Sequence, residues 1–148
     1  METWRTVWRD GFAPVLSTSG LQALRGALLR DDHRLLQGQP TSPPPIQSML
    51  DWPAEGACLL GFCGWQGDGK ETVGDVEETI SRACFEADCR LGEPAGCRWF
   101  LNWYDEAPRD VMRREMLAEI ARELEMRNGG EVAGEEAEEE TLVAAHAA

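Results

Sequence analysis

Apolar residues recur at helical spacing along most of this chain, and the clearest run lies between residues 73 and 91. There an apolar side chain falls every three or four positions, so these side chains share one face of a helix. The preceding Thr72-Val-Gly-Asp75 has the form of a capping box, and Gly92 stands where helices commonly end. The pattern therefore predicts an amphipathic helix over 73–91.

Six further stretches predict helices by the same spacing argument. In the first, Trp4, Trp8 and Phe12 recur every four positions and predict an aromatic stripe that packs into the core. Three of the predicted helices cover residues 3–12, 53–64 and 94–105. A fourth starts at Ser17 and carries Leu21, Leu24 and Leu28, and a short fifth helix runs through Arg34 to Leu36. The last helix begins at Pro108 and ends at Asn128 to Gly130.

Small residues mark the predicted helix over 53–64. It contains Gly61 and Gly64, although each glycine costs a helix about 1 kcal/mol relative to alanine. We explain these glycines by another helix that packs very close to this one. The helix is therefore predicted to be central and buried, with its large apolar residues inside the core.

The segment from Glu93 to Asp105 is the richest in aromatic residues. It holds two of the six tryptophans, a phenylalanine and the only tyrosine. On a helix, Trp99 and Trp103 are i,i+4 neighbours and are predicted to stack on one face. Because each aromatic ring buries roughly 150–250 Å² in a core, this segment is predicted to be the hub of the hydrophobic core.

Composition supports an all-α fold. Leucine and alanine number 15 and 17, whereas valine and isoleucine together number only 10, and β-branched residues are those that strands prefer. We predict a compact bundle of five to seven short helices in one globular domain, residues 1–127. Residues 128–148 contain six glutamates and no lysine, arginine, phenylalanine, tyrosine or tryptophan, which predicts a disordered acidic tail.

The formal net charge of -13 limits the partners of this protein. A phosphate backbone needs a basic face, so we expect no nucleic-acid binding. No apolar run approaches the roughly 20 residues that a membrane span requires, and the first 16 residues lack the apolar core of a secretion signal. We therefore expect a cytoplasmic protein with reduced cysteines and no membrane contact.

The five cysteines form two C-x4-C pairs, Cys58 with Cys63 and Cys84 with Cys89, followed by Cys97 alone. Five residues turn a helix by about 500°, which leaves the two partners roughly 140° apart. Such a pair cannot hold one metal ion from an intact helix. We therefore predict structural thiols and no cofactor, with metal ligation or redox chemistry by cysteines from different helices as the alternative.

Two further motifs were weighed for chemistry. Residues 64–72 approach the phosphate-binding pattern G-x4-G-K-[ST], but Glu71 stands where that loop needs a hydroxyl. Of the two histidines, only His33 precedes the tail, and no spacing typical of a metalloprotease helix occurs. The sequence therefore favours a protein that is not an enzyme.

The function most consistent with these observations is protein–protein contact, either with another protein or by self-association. Arginine-flanked tryptophans suit interface anchors, and the candidate partner-binding residues are Trp4, Trp8, Arg98, Trp99 and Trp103. One alternative is a metal-binding or redox protein that uses the five cysteines. Another is a small enzyme with its site near Cys97, Arg98 and Asp105.

Overall fold

The computed structural model describes the backbone of residues 1–147 and the side chains of residues 1–129. Within these residues the all-α prediction is confirmed, and the sheet is limited to one antiparallel pair of two-residue strands. In chain order the elements are α1 (Thr3–Val7), α2 (Thr18–Leu29), β1 (Thr41–Ser42), β2 (Gly56–Ala57), α3 (Leu59–Phe62), α4 (Val73–Leu91), α5 (Arg98–Glu106) and α6 (Arg109–Ala147). π-Helical turns at Trp8–Phe12 and Cys63–Gly67 continue α1 and α3, and 3-10 turns lie at Ala13–Val15 and Gln47–Met49.

Three of the helix-boundary signals in the sequence act as predicted. The Ser17 hydroxyl accepts the Gly20 N–H at 2.9 Å and starts α2. The Thr72 hydroxyl accepts the Asp75 N–H at 3.1 Å and starts α4. Gly92 ends α4 with φ +69°, a left-handed conformation that glycine adopts without strain.

Phe100 on α5 is the centre of the hydrophobic core. Its ring lies 5.3 Å from the rings of both Trp8 and Phe12, and 6.4 Å from that of Trp4. Tyr104, one turn later, lies 6.2 Å away and is buried like Phe100. The predictions of an aromatic hub in this segment and of an aromatic stripe that packs against it are both confirmed.

The central buried helix is confirmed, but its boundaries differ from the prediction over 53–64. Leu59, Leu60 and Phe62 are buried, and a Cβ on Gly61 would lie 2.8 Å from the Cγ1 of Val76 on α4. The helix begins only at Leu59, because the residues before it are used in strand pairing. The two-residue strand β2 pairs with β1, and this extended backbone cannot be helical.

The predicted short helix through Arg34 to Leu36 does not form. The Asp32 carboxylate accepts the backbone N–H of Arg34 at 3.0 Å and also binds its guanidinium at 2.7 Å. Asp31 adopts φ +49°, and Leu35 forms a parallel bridge with Ala57. Side-chain bonds to nearby backbone compete with helical bonds, and here they fix a turn.

The last helix does not end at Asn128 or Gly129, both of which keep helical backbone. A glycine lowers helix propensity by only about 1 kcal/mol, and no proline follows to stop the helix. The rest of the predicted disordered tail, 130–148, lies outside the residues whose side chains are described, and the division at residue 127 stays a prediction. No helix in the described residues is long and apolar enough to cross a membrane.

Candidate partner-binding surface

One exposed apolar surface is built by residues 46–55 where they lie beside residues 71–75. Trp52 exposes 50% and Ile46 49% of its surface to solvent, although both are large apolar residues. The indole N–H of Trp52 has no protein acceptor in the described part of the chain. We call the exposed residues of 46–55 and 71–75, which include Ile46 and Trp52, the Trp52 surface.

Backbone hydrogen bonds to the start of α4 hold the Trp52 surface in place. The Val73 N–H donates to the Trp52 carbonyl and the Gly74 N–H to the Leu50 carbonyl, both at 2.9 Å. The first N–H groups of any helix have no acceptor within the helix. Because the loop supplies these acceptors, its position is fixed by the same contacts that cap α4.

Further backbone contacts hold the C-terminal end of this loop, at Pro53 and Ala54. The Ala54 N–H donates to the Glu71 carbonyl at 2.9 Å, and Pro53 pairs with Thr72 in an antiparallel bridge. Ala54 is buried, whereas Trp52 and Pro53 face solvent. The tryptophan is therefore presented by an anchored loop instead of a free one.

The charge of the Trp52 surface is almost entirely negative. Between residues 35 and 81 the sequence has seven acidic residues and one basic residue, Lys70. Four of the seven carboxylates are exposed on this surface and make no ion pair within the described residues. They belong to Asp51, Glu55, Glu71 and Asp75.

Most arginines of the protein donate hydrogen bonds to other residues of the same chain. Nine of the thirteen donate hydrogen bonds to other residues within the described part of the chain. Arg127, for example, donates to the carbonyls of Ala13 and Leu16, both at 2.8 Å. Arg113 donates to the carbonyl of Leu28 at 2.9 Å. Positive charge is thus used to hold helices together, which leaves the exposed carboxylates of the Trp52 surface without neutralising partners.

Two other aromatic side chains are more exposed than Trp52. Phe85 exposes 68% and Trp99 60% of its surface. Arg98 directly precedes Trp99, whereas Phe85 is followed by Glu86 and lies one turn after Arg82, whose charge is paired with Glu78. The Trp52 surface is distinguished by its own residues, 46–55 and 71–75, which carry four carboxylates and no basic side chain.

Of the predicted partner-binding residues, Trp4 and Trp8 lie in the core at 5% and 0% exposure. Trp103 stacks on Trp4 with ring centroids 3.6 Å apart and planes 4° apart. The expected stack of Trp99 on Trp103 is therefore wrong, because α1 supplies the ring that covers Trp103. Arg98 and Trp99 are exposed and stay candidates.

The cysteines are mostly packed inside. Cys58, Cys63 and Cys97 are buried, Cys84 is half-buried and Cys89 is exposed. Burial raises the pKa of Cys58 and Cys84 to about 11 and that of Cys97 to about 12, and it also raises the pKa of Cys63. These four thiols therefore stay protonated at neutral pH, which suits packing better than nucleophilic chemistry.

No three or more histidine, cysteine, aspartate or glutamate side chains come together as a metal site within the described residues. The residues suggested for an enzyme site do not converge either. Cys97 stands at the start of α5 and Asp105 near its end, eight residues or about 12 Å along the axis. The Asp105 carboxylate accepts the Gly38 N–H at 2.9 Å, and the Cys97 N–H donates to Asp88 at 2.8 Å.

The glycine-rich loop at 64–70 serves another purpose. Asp68 accepts hydrogen bonds from the hydroxyls of Ser17 and Ser19 at 2.7 and 2.9 Å. Its carboxylate thus lies at the N-terminus of α2, where the helix dipole favours negative charge. The loop follows a π-helical turn, whereas the phosphate-binding motif follows a strand.

No protein-family model, curated protein or solved structure matches this chain. Its function is therefore inferred from the chemistry of the surface itself. Neither Ile46 nor Trp52 is among the residues that the sequence predicts to bind a partner. Two features of the sequence could have indicated this surface. Trp52 precedes Pro53 and belongs to no helical stripe, and it lies in a stretch that has seven acidic residues and one lysine.

Proposed function

We propose that this protein is a non-enzymatic binding module that acts through protein–protein contact at the Trp52 surface. The partner segment is basic and carries an apolar side chain that covers Trp52. One observation carries the proposal, namely a half-exposed tryptophan on an anchored loop among carboxylates that make no ion pair within the described residues. We also propose a cytoplasmic location, because free thiols persist there.

Burial of the tryptophan supplies the apolar part of the binding energy. Covering the exposed half of one tryptophan removes on the order of 100 Å² from water, which is worth roughly 2–3 kcal/mol. Ile46 is exposed to the same extent and adds to this area. Tryptophan is also among the residues that most often dominate measured interface energies.

The acidic residues select the sign of the partner's charge. Lysine or arginine side chains of a partner would pair with the carboxylates of Asp51, Glu55, Glu71 and Asp75. Complementary charge mainly raises the association rate and excludes partners of the wrong sign. A second copy of this chain carries the same negative surface, so self-association through it would bring like charges together.

The anchored backbone lowers the cost of binding. A loop that must become ordered on binding spends part of the contact energy on that ordering. Here the carbonyls of Leu50 and Trp52 are already bonded to α4. The surface is therefore preorganised for its partner.

The cysteine-based and enzymatic alternatives remain open proposals with less support. The raised pKa values of Cys58, Cys84 and Cys97 leave little thiolate for metal ligation or attack at neutral pH. Metal analysis of the purified protein separates the metal-binding alternative from the binding module.

Fluorescence anisotropy with a labelled peptide of alternating lysine and leucine tests the proposal. We expect Trp52→Ala to weaken binding by about tenfold or more, and raising salt to about 0.5 M to weaken it further. Trp99→Ala is the matched control, because it removes an equally large and more exposed ring. Equal losses in the two variants, or equal binding of a peptide with glutamate in place of lysine, would overturn the proposal.

A further inference from the structure

A second concave site lies apart from the Trp52 surface, between residues 38–40 and the helices α3, α4 and α5. It is a cleft of about 160 Å³. Its walls are mainly apolar, and its mouth carries one carboxylate. The side chains that form it include Leu59, Leu60, Ile80, Leu101, Tyr104 and Asp105.

Four hydrogen bonds fix the segment that roofs this cleft. The Tyr104 hydroxyl donates to the Leu36 carbonyl at 2.6 Å, and the Gln37 amide donates to the Tyr104 carbonyl at 2.8 Å. The Gly38 N–H donates to Asp105 Oδ1, and the Cys58 N–H donates to the Pro40 carbonyl, both at 2.9 Å. The segment is thus tied to α5 at one side and to the start of α3 at the other, so the cleft is preformed.

The size and lining of the cleft fit a single six-membered ring. An apolar protein cavity of roughly 150 Å³ binds benzene, and binding sites are typically apolar with a few polar groups that orient the ligand. Ile80 on α4 and both Leu101 and Tyr104 on α5 contribute apolar surface to the lining of the cleft.

Asp105 is the one charged side chain that lines the cleft among the described residues, although the charge of Arg109 also reaches Tyr104 in its wall. Asp105 accepts the Gly38 N–H with one carboxylate oxygen, and its other oxygen has no hydrogen-bond partner in the described part of the chain. The charges of Asp105 and Glu77 both contribute to raising the pKa of the Cys58 thiol, although burial is the larger cause. No lysine, arginine or histidine lines the cleft among the described residues.

We propose that this cleft binds a small ring compound with a positively charged amine, the ring between Ile80 and Leu101 and the ammonium at Asp105. This site is independent of the Trp52 surface. It uses no residue of that surface, so either proposal can fail without the other.

Titrations of the full-length protein with benzylamine, benzyl alcohol and benzoate, followed by amide chemical shifts in NMR spectra, test this site. These probes share one ring and differ in charge. We expect all amide shifts to centre on residues 38–39, 58–60 and 101–105. Benzylamine should bind about fivefold more tightly than benzyl alcohol, since one ion pair near the surface is worth roughly 1 kcal/mol, and benzoate should bind least.

Two pairs of variants separate the roles of charge and volume. Asp105→Asn keeps an acceptor for Gly38 and should remove the advantage of benzylamine, whereas Glu106→Gln, its exposed neighbour on α5, should not. Leu101→Trp should fill the cleft and abolish binding of all three probes, whereas Asn102→Trp should leave binding unchanged. If Leu101→Trp does not fold, Ile80→Phe fills the same volume from α4.

Three results would overturn the inference. The first is the absence of probe-induced shifts at the cleft. The second is benzoate binding as tightly as benzylamine, which would show that Asp105 does not select charge. The third is undiminished binding by a folded variant with a filled cleft, which would place the probes elsewhere.

Discussion

Arg9 and Glu119 lie 110 positions apart in the chain and form two parallel hydrogen bonds, Nε to Oε1 at 2.8 Å and Nη2 to Oε2 at 2.9 Å. Arg5 adds a third bond to the same carboxylate at 2.8 Å and also binds Glu115 at 2.9 Å. Glu119 is only 3% exposed. A buried carboxylate on α6 therefore ties down α1 and the π-helical turn that follows it.

Removing this carboxylate should destabilise the fold strongly. Glu119→Ala leaves the partly buried guanidinium of Arg9 without its acceptor and removes one of the carboxylates that bind Arg5, which keeps Glu115. Breaking a buried pair from one side costs about 3 kcal/mol or more. Urea denaturation measures the change in the free energy of unfolding. The control is Glu78→Ala, which breaks an ion pair with Arg82 in which both side chains are more than 60% exposed. It should cost no more than about 0.5 kcal/mol, and similar losses in the two variants would contradict the account.

Stability should fall in acid. Hydrogen bonds from Arg34 hold the pKa of Asp32 well below its usual range. Burial alone would raise the pKa of Glu119, but the bonds from Arg9 and Arg5 outweigh it and leave this pKa below its usual value. A carboxyl group with a depressed folded pKa stabilises the protein above its unfolded pKa of about 4 and loses that contribution as the pH drops further.

The measurement for this prediction is the free energy of unfolding from neutral pH down to about pH 2. We expect the slope below about pH 4 to be smaller in Asp32→Asn than in the wild type, because one titrating group is gone. An identical slope in the two proteins would show that Asp32 does not contribute.

Glu77 should behave in the opposite way. Its Oε2 atom is buried without a hydrogen-bond partner in the described residues, and burial raises its pKa. Ionised Glu77 therefore opposes folding, and Glu77→Met should raise the free energy of unfolding by about 1 kcal/mol near pH 8. Because the wild-type side chain takes up a proton as the pH falls, the advantage of the variant should shrink in acid. An advantage that is constant with pH would argue against a charge effect.

Gly64 is required by the close packing of the π-helical turn on α4. A Cβ at this position would lie 2.7 Å from the Cγ2 and 3.2 Å from the Cβ of Thr79. Gly64→Ala should therefore cost about 1–3 kcal/mol in stability, the range for overpacking. At Gly26 on α2 the closest atom to a new Cβ is the movable guanidinium end of Arg30. Gly26→Ala should then gain up to about 1 kcal/mol from helix propensity, as thermal unfolding would show.

The sequence predicted those elements whose signals are local. The capping residue Thr72, the apolar stripe that follows it and Gly92 all lie within α4 or at its ends, so α4 has the bounds that were expected. The short helix through Arg34 was wrong because the Asp32 side chain and the bridge of Leu35 to Ala57 outcompete it. The bridge in particular joins residues far apart in sequence, which periodicity cannot detect.

The candidate surface, like the fold, could be predicted only where its signals are local in the sequence. The negative charge of residues 35–81 is visible in the sequence, but the exposure of Trp52 depends on how Leu50 and Ala54 pair with residues 71–74. Trp99 and Trp103 share a helix, yet Trp4 from α1 covers only one of them. Helical spacing places residues on a face, and only the tertiary contacts decide which faces are covered.

The most direct test of the central claim is an NMR titration of the six tryptophan indole N–H signals with the lysine–leucine peptide. The spectrum of the Trp52→Ala variant lacks one of the six indole signals, and that signal is thereby assigned to Trp52. The account predicts that the Trp52 signal shifts most at low salt and returns toward its free position at about 0.5 M salt. A Trp52 signal that stays still while that of Trp99 or another tryptophan moves would contradict it.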